Sequence, residues 1–379
     1  MTSELREPVG PATLDAAPPR QRGTTDVAWR VTRVLGDVLT AEADTVRALD
    51  PELGAAVVPL RDLVLRGGKR LRPAFGYWGY RGLAAASAPA VDDAVLRAVS
   101  ALELLHVFAM VHDDVMDAAG ERRGRPTLQR IFADRHDSAG WRGDPTRFGT
   151  SAAVLLGDLC AVWADRLIAD CGLPAPVILS ARRVYDVMRI EAMAGQYLDV
   201  LGEATGPSAG GPAAALKVAR FKSASYTVQR PLRFGAALSG RPDADVTAAY
   251  DRFGFAVGEA FQLRDDLLGV YGDRLVTGKP VGDDLRRGAP TVLVSLARSR
   301  ATESQRRVLD MVLGDPAASA DAIAEVAGLI TDTGARAEVE GMISDRVGTA
   351  LAALAAAPIH EVARGELSRL AVAAVQRSA

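Results

Sequence analysis

The stretch LLHVFAMVHDDVMD, Leu104–Asp117, constrains the fold of this chain more than any other. Apolar side chains fill nearly every position before the acids, so the segment reads as a helix buried on most sides and therefore central to the fold. Yet it holds three carboxylates, Asp113, Asp114 and Asp117, and neither lysine nor arginine. Asp113 and Asp117 are four residues apart, which on a helix places them on one face, a turn apart, where their oxygens can converge on one ligand. Two anions at the end of an apolar wall cost stability unless a cation joins them. For oxygen-only donors the simplest such cation is Mg²⁺, which keeps several waters and is shared with substrate phosphates. A solvated acidic helix end has the same spacing, and a second, matching site separates the two readings.

A matching site lies in the apolar pattern from Asp245 to Val270, which carries Gln262, Asp265 and Asp266. Gln262 is three before Asp265, so the two share a face. The loop beyond it, GDRLVTGKPVGDDLRRGAPT, adds Asp273, Lys279, Asp283 and Asp284. Arginine is the default cation, since only four of the 45 Lys and Arg residues are lysine. Three of the four lysines, Lys69, Lys222 and Lys279, stand beside unusual neighbours: Gly67-Gly68 with Arg70 and Arg72, Ser223, and the acidic loop. Arg122 and Arg123 follow the first carboxylates within a short loop, and His106 lies seven before Asp113 on roughly the same face. Two such helices facing each other would put carboxylates and cations at one mouth of a bundle, above an apolar well. The ligand that suits this cavity is a diphosphate on a hydrocarbon, with the metal acting as Lewis acid on the departing diphosphate.

Bulk properties bound the rest. Hydrophobic residues make up 49% but aromatics 5%, so the core is mostly Ala, Leu and Val, a composition that favours helices. A net charge of -2 and pI near 6.2 argue against a general nucleic-acid binder. Cys160 and Cys171 are too few for a disulfide framework and fit a reducing compartment. No leader-like start and no uninterrupted apolar stretch of about 18 residues is seen, so a cytoplasmic protein is expected.

Residues 1–25 read as a disordered tail and 26–379 as a single all-α domain. Helical periodicity covers 27–49, breaks at Pro51, and resumes over 55–66. It returns over 92–116, 150–170, 176–200, from about 214, over 245–270, and from 291 onward, where the charges read as ordinary solvated faces. Residues 134–148 read as a surface loop and 203–212 as a flexible connector.

The segments GGKRLRP, DDVMD, RRG, KS, FQLRDD and GKPVGDD occur in the order found in trans-isoprenyl diphosphate synthases, also called polyprenyl synthetases. The chain resembles that family from Gly67 to Thr291, and most resembles bacterial geranylgeranyl diphosphate synthases. The resemblance implies an all-α isoprenoid-synthase bundle around a deep central cavity, a homodimer, and no stable membrane anchor. It implies Mg²⁺, three ions per site, and head-to-tail condensation of isopentenyl diphosphate with dimethylallyl, geranyl or farnesyl diphosphate. It assigns Mg²⁺ binding to Asp113, Asp117 and Asp265, with Asp114 and Asp266 completing the motifs. Arg122, Lys222 and Lys279 would grip the allylic diphosphate, while Lys69, Arg72, His106 and Arg123 would hold isopentenyl diphosphate. Gln262 and the Ser223 carbonyl would steady the cation, and the released diphosphate would take the final proton.

Two positions depart from the family pattern. The second motif ends in Gly269, where many members have an Asp, and Ala289 stands where a lysine is frequent. Arg286 and Arg287 are near enough to replace that lysine, and a catalytically weak partner subunit is the reading if they do not. Ala109, four before Asp113, with Phe108 behind it, resembles the pattern of C20 synthases; a C15 farnesyl product is the alternative. A terpene cyclase would share DDxxD, but its second motif most often begins with asparagine, which this chain lacks altogether. A cyclase also has no use for the second diphosphate pocket that Lys69, Arg72 and Arg123 would supply.

Overall fold

Apolar residues at intervals of four, Val27, Val31, Leu35 and Leu39, drive the first helix into the core, where all are buried. The computed structural model describes residues 24–66, 68–84, 87–122, 124–206, 210–241, 243–272 and 281–376. Its helices are α1 (Thr24–Leu49), α2 (Pro51–Leu65), α3 (Leu71–Leu83), α4 (Pro89–Met116), α5 (Leu128–Ser138), α6 (Pro145–Ala169) and α7 (Ala175–Thr205). After α8 (Gly211–Ala219) the chain winds as a π-helix over Arg220–Gln229 and continues as α9 (Arg230–Leu238) and α10 (Ala244–Tyr271). Then come α11 (Asp283–Arg287), α12 (Val292–Arg300), α13 (Glu303–Val312), α14 (Ala320–Asp332), α15 (Ala335–Ala355) and α16 (Glu361–Val375). The only described strands, Glu121–Arg122 and Arg125–Pro126, form a two-stranded antiparallel hairpin after α4. The fold is all-α.

α4 is the axis of the larger core, packed by α6, α3, α1, α2 and α9. By length and composition it could cross a membrane, but 72% of its apolar window is buried inside the protein. α10 ties two cores together. Its first half, through Val246, Tyr250, Phe253 and Val257, belongs to the cluster built on α4. Its second half, through Leu263, Leu267 and Val270, belongs to a cluster with α12, α14 and α15.

Several boundaries differ from the periodicity. The helix does break before Pro51, but α2 restarts at Pro51 itself and not near 55, because Asp50 caps it by accepting from the Glu52 N–H and proline needs no N–H at that position. Residues 134–148 are not all loop: α5 runs to Ser138, and α6 begins at Pro145 under an Asp144 cap. His136, Trp141 and Phe148 stack together across the turn between them, with ring centroids 5.3–5.9 Å apart. α7 extends to Thr205, into the expected connector. α1 starts at Thr24, inside the expected tail, of which residues 1–23 lie outside the described residues.

Candidate active site

One cavity of about 1840 Å³ opens between α3, α4, α7, the π-helix, α10 and the turn into α12. Lys69, Arg72, His106, Phe108, Ala109, Asp113, Asp114, Arg122, Lys222, Ser223, Gln262, Asp265 and Asp266 all line it. Asp117 sits beside it at the end of α4, paired with Arg287, which does line it. Arg123 and Lys279 lie outside the described residues.

The first acidic cluster is surrounded by cations. Asp113 accepts from Lys222 Nζ at 3.3 Å and Gln196 Nε2 at 3.0 Å on one oxygen, and from Arg122 Nη2 at 3.1 Å on the other. Burial alone would raise its pKa, but Lys222 and Arg122 outweigh burial and hold it below the ordinary carboxylate value. Asp114 is buried and accepts from Arg122 Nε at 2.5 Å. Its burial, with Asp113 and Asp117 nearby, prevails over Arg122 and pushes it up to about 6. The Lys222 ammonium is desolvated, yet Asp113 and Asp199, the latter at 2.5 Å, keep its pKa above the ordinary lysine value. Arg122 is aimed by its hairpin, which Thr127 Oγ1 ties down by donating to Ala119 O at 2.7 Å.

The second cluster is held by neutral groups. Ser223 Oγ donates to Gln262 Oε1, Gln262 Nε2 donates to Asp266 Oδ1 at 2.8 Å, and Val292 N donates to Asp266 Oδ2 at 3.3 Å. Asp266 is fully enclosed, and burial, with Asp284 and Asp265 nearby, pushes its carboxyl up to about 8. Asp265, next to it in sequence, faces the cavity. Gly269 has a local reason: a Cβ there would lie 2.0 Å from Asp284 Oδ2, so the Asp284 carboxylate occupies the space a longer residue would need. Ala289 lies buried in the cavity wall. Of the two neighbouring arginines, Arg286 turns away to the Val281 and Ala318 carbonyls, at 2.7 and 3.2 Å. Arg287 faces the cavity and bridges Asp117 to Glu203 Oε1, 3.2 Å away.

The basic segment after Gly68 divides by role. Arg70 is a buried strut that opens α3 in the left-handed region at φ 49°, held by Glu103 Oε1 at 2.5 Å and Val64 O at 2.6 Å. Lys69 is at the rim, its Nζ 3.4 Å from Ala373 O of α16, and Arg72 points inward. On the turn before the acids, Phe108 packs against His112 with ring centroids 4.6 Å apart, and the smaller Ala109 lines the cavity four residues before Asp113.

Close helix approaches set these positions. A Cβ at Gly195 of α7 would lie 2.4 Å from Lys222 N, and one at Gly258 of α10 would lie 2.4 Å from Ala224 Cα, so the π-helix is clasped between two glycines. Gln196 and Asp199, which orient Asp113 and Lys222, are site residues that sequence reasoning passed over. Their only sequence signal is that they follow Gly195 at helical spacing.

The donors suit Mg²⁺: carboxylate oxygens, no sulfur, and cations placed to take leftover anionic charge. Among the described residues no three carboxylate, histidine or cysteine side chains converge closely enough to hold an ion unaided. That arrangement fits an ion whose remaining ligands are waters and a diphosphate.

Residues 56–330 match the model of a family described as polyprenyl synthetase. The geranylfarnesyl diphosphate synthase of Aeropyrum pernix is 34% identical over 276 residues, covering 72% of this chain and 78% of the relative. The (2E,6E)-farnesyl diphosphate synthase of Mycobacterium tuberculosis is 31% identical over 315 residues, covering 82% and 80%. The crystal structure of geranylgeranyl pyrophosphate synthase from Corynebacterium glutamicum, complexed with isoprenyl diphosphate and magnesium, is 36% identical with a TM-score of 0.85. It covers 92% of this chain and 99% of that one.

Proposed function

This chain belongs to the polyprenyl synthetase family and is a trans-prenyltransferase, and from that premise we propose that it is a Mg²⁺-dependent geranylgeranyl diphosphate synthase. It would add isopentenyl diphosphate head to tail to dimethylallyl, geranyl or farnesyl diphosphate, stopping at C20. The observation that carries this reading is the facing of two carboxylate helices, α4 and α10, across one deep cavity whose wall below Asp113 is Ala109 and then Phe108.

The residues divide the work. Asp113, Asp117 and Asp265 would hold up to three Mg²⁺ ions, with Asp114 and Asp266 orienting waters and neighbours. Bound there, Mg²⁺ supplies Lewis-acid stabilisation of the departing diphosphate. Arg122 and Lys222 lie close enough to Asp113 to take a diphosphate, and Arg287, two residues before Ala289, adds a third cation. Gln262 and the Ser223 carbonyl would steady a developing allylic cation; the Ser223 hydroxyl donates to Gln262 on the cavity wall. Lys69, Arg72 and His106 line the other side, with room for isopentenyl diphosphate.

The molecule would work as a homodimer, since the outer faces of α6 and α7 leave Leu155, Val162, Leu179 and Ile190 at 53–66% exposure. No described feature favours a nucleic-acid partner. The test is product length: with isopentenyl and farnesyl diphosphates the enzyme forms a C20 product, and a C15-only spectrum from the shorter primers would favour the farnesyl alternative. Ala109→Phe, which shortens the well by a ring, shifts product toward C15; an unchanged distribution overturns the assignment of chain length to this position.

A further inference from the structure

The π-wound segment Arg220–Gln229 reaches both sides of the cavity. In an α-helix, at about 100° per residue, Thr227 would stand roughly 140° away from Lys222. The i→i+5 register, seen where Arg230 N donates to Ser225 O, brings residues five apart onto one face. Lys222, Ser223, Tyr226 and Thr227 all line the cavity. The first two face Asp113 and Gln262. The last two meet Arg72, which arrives from α3.

Arg72 is held on two sides. Its guanidinium carbon lies 4.4 Å from the centroid of the Tyr226 ring, and its Nη2 donates to Thr227 Oγ1 at 2.9 Å. Tyr226 is 5% exposed and its hydroxyl has no protein partner, so the ring face and not the phenol serves Arg72. Arg72 Nε is buried without an acceptor, and no carboxylate pairs with this guanidinium among the described residues. Where other partly buried arginines such as Arg122, Arg230 and Arg287 are paired with carboxylates, an unneutralised planar fork, stacked on a ring and anchored at one edge, is prepared for a diphosphate.

We propose that Tyr226 and Thr227 are positioning residues that orient Arg72 toward the diphosphate of isopentenyl diphosphate, so that one π-helix sets both diphosphate subsites. The inference rests on reading Arg72 as an isopentenyl diphosphate ligand. One geometric element then fixes the distance between the two reacting substrates. The Tyr226 hydroxyl contributes nothing to this, and the ring contributes much.

Steady-state kinetics in both substrates, with thermal denaturation alongside, tests it on Arg72→Leu, Tyr226→Leu, Tyr226→Phe and Thr227→Val. Tyr226→Leu raises KM for isopentenyl diphosphate about tenfold and Thr227→Val about threefold, leaving KM for the allylic diphosphate within about twofold. Tyr226→Phe, which keeps the ring, leaves the isopentenyl diphosphate KM within about twofold of the parent value. Arg72→Leu raises the isopentenyl diphosphate KM by about a hundredfold or more. If Arg72→Leu leaves that KM unchanged, the ligand reading fails and the inference with it. If Arg72→Leu raises it but neither Tyr226→Leu nor Thr227→Val does, the inference alone is overturned. A rise in both KM values together with a lower melting temperature also overturns it, since that is what a purely packing role produces. Thr227→Val, nearly isosteric, keeps the test open should Tyr226→Leu fail to fold.

Discussion

Asp113 and Asp114 at the end of α4 stand among Arg122, Lys222 and, through Asp117, Arg287, whereas Asp266 in α10 is bonded to an amide side chain and a backbone N–H. The two motifs begin with the same letters, yet their surroundings drive Asp113 and Asp266 in opposite directions from the ordinary carboxylate value. In the first cluster countercharge from Lys222 and Arg122 keeps Asp113 ionised, although burial pushes its neighbour Asp114 up to about 6. The second keeps the Asp266 carboxyl neutral near pH 7 as a strut between α10 and α12, beside Asp265 on the same cavity wall. Both carboxyls of each DD pair line the cavity, and what differs between them is the charge and burial of their surroundings.

The comparison breaks most visibly through activity. Asp113→Asn and Asp265→Asn each lower kcat/KM by about 10²–10³-fold, and the double variant falls little further, because both act on one departing diphosphate. Steady-state rates of diphosphate release measure this, and full additivity would mean that the clusters serve separate ligands. Next in size is Arg287→Ala, which raises KM for the allylic diphosphate about tenfold, while Arg286→Ala, whose side chain turns to backbone carbonyls, stays within about twofold. Equal effects from the two would show that Arg287 does not replace the cation missing at Ala289.

The smallest effect is on stability. Asp266 has its folded pKa raised to about 8 from 3.8. The stability its proton uptake contributes is complete below about pH 4 and is lost as pH rises through about 8. With EDTA present, Asp266→Asn therefore gains in melting temperature relative to the parent as pH goes from 5 to 9. A constant difference across that range contradicts a neutral Asp266.

Much of this was legible in the sequence because it is local. Asp113 and Asp117 share a helix face by spacing alone, and the apolar run before them fixed the central place of α4. What was missed depends on partners far away in the chain. RFKSASYTVQ has an ordinary helical composition, and its π register coincides with Gly195 and Gly258 closing on it from other helices. The space at Gly269 is filled by Asp284 from another element, and Arg70 looked like one of three pocket cations until Glu103 claimed it. The start of α2 was placed four residues late for a nearer reason: the break at Pro51 is legible, but that proline also opens the next helix shows only through the Asp50 cap.

The measurement that bears most directly on a metal clamp built from both clusters is the product mass after incubation with isopentenyl and farnesyl diphosphates, with Mg²⁺ and then with excess EDTA. The proposed function predicts C20 diphosphate with Mg²⁺ and no elongation with EDTA. Elongation that persists in EDTA, or a cyclised hydrocarbon in place of a prenyl diphosphate, would contradict it.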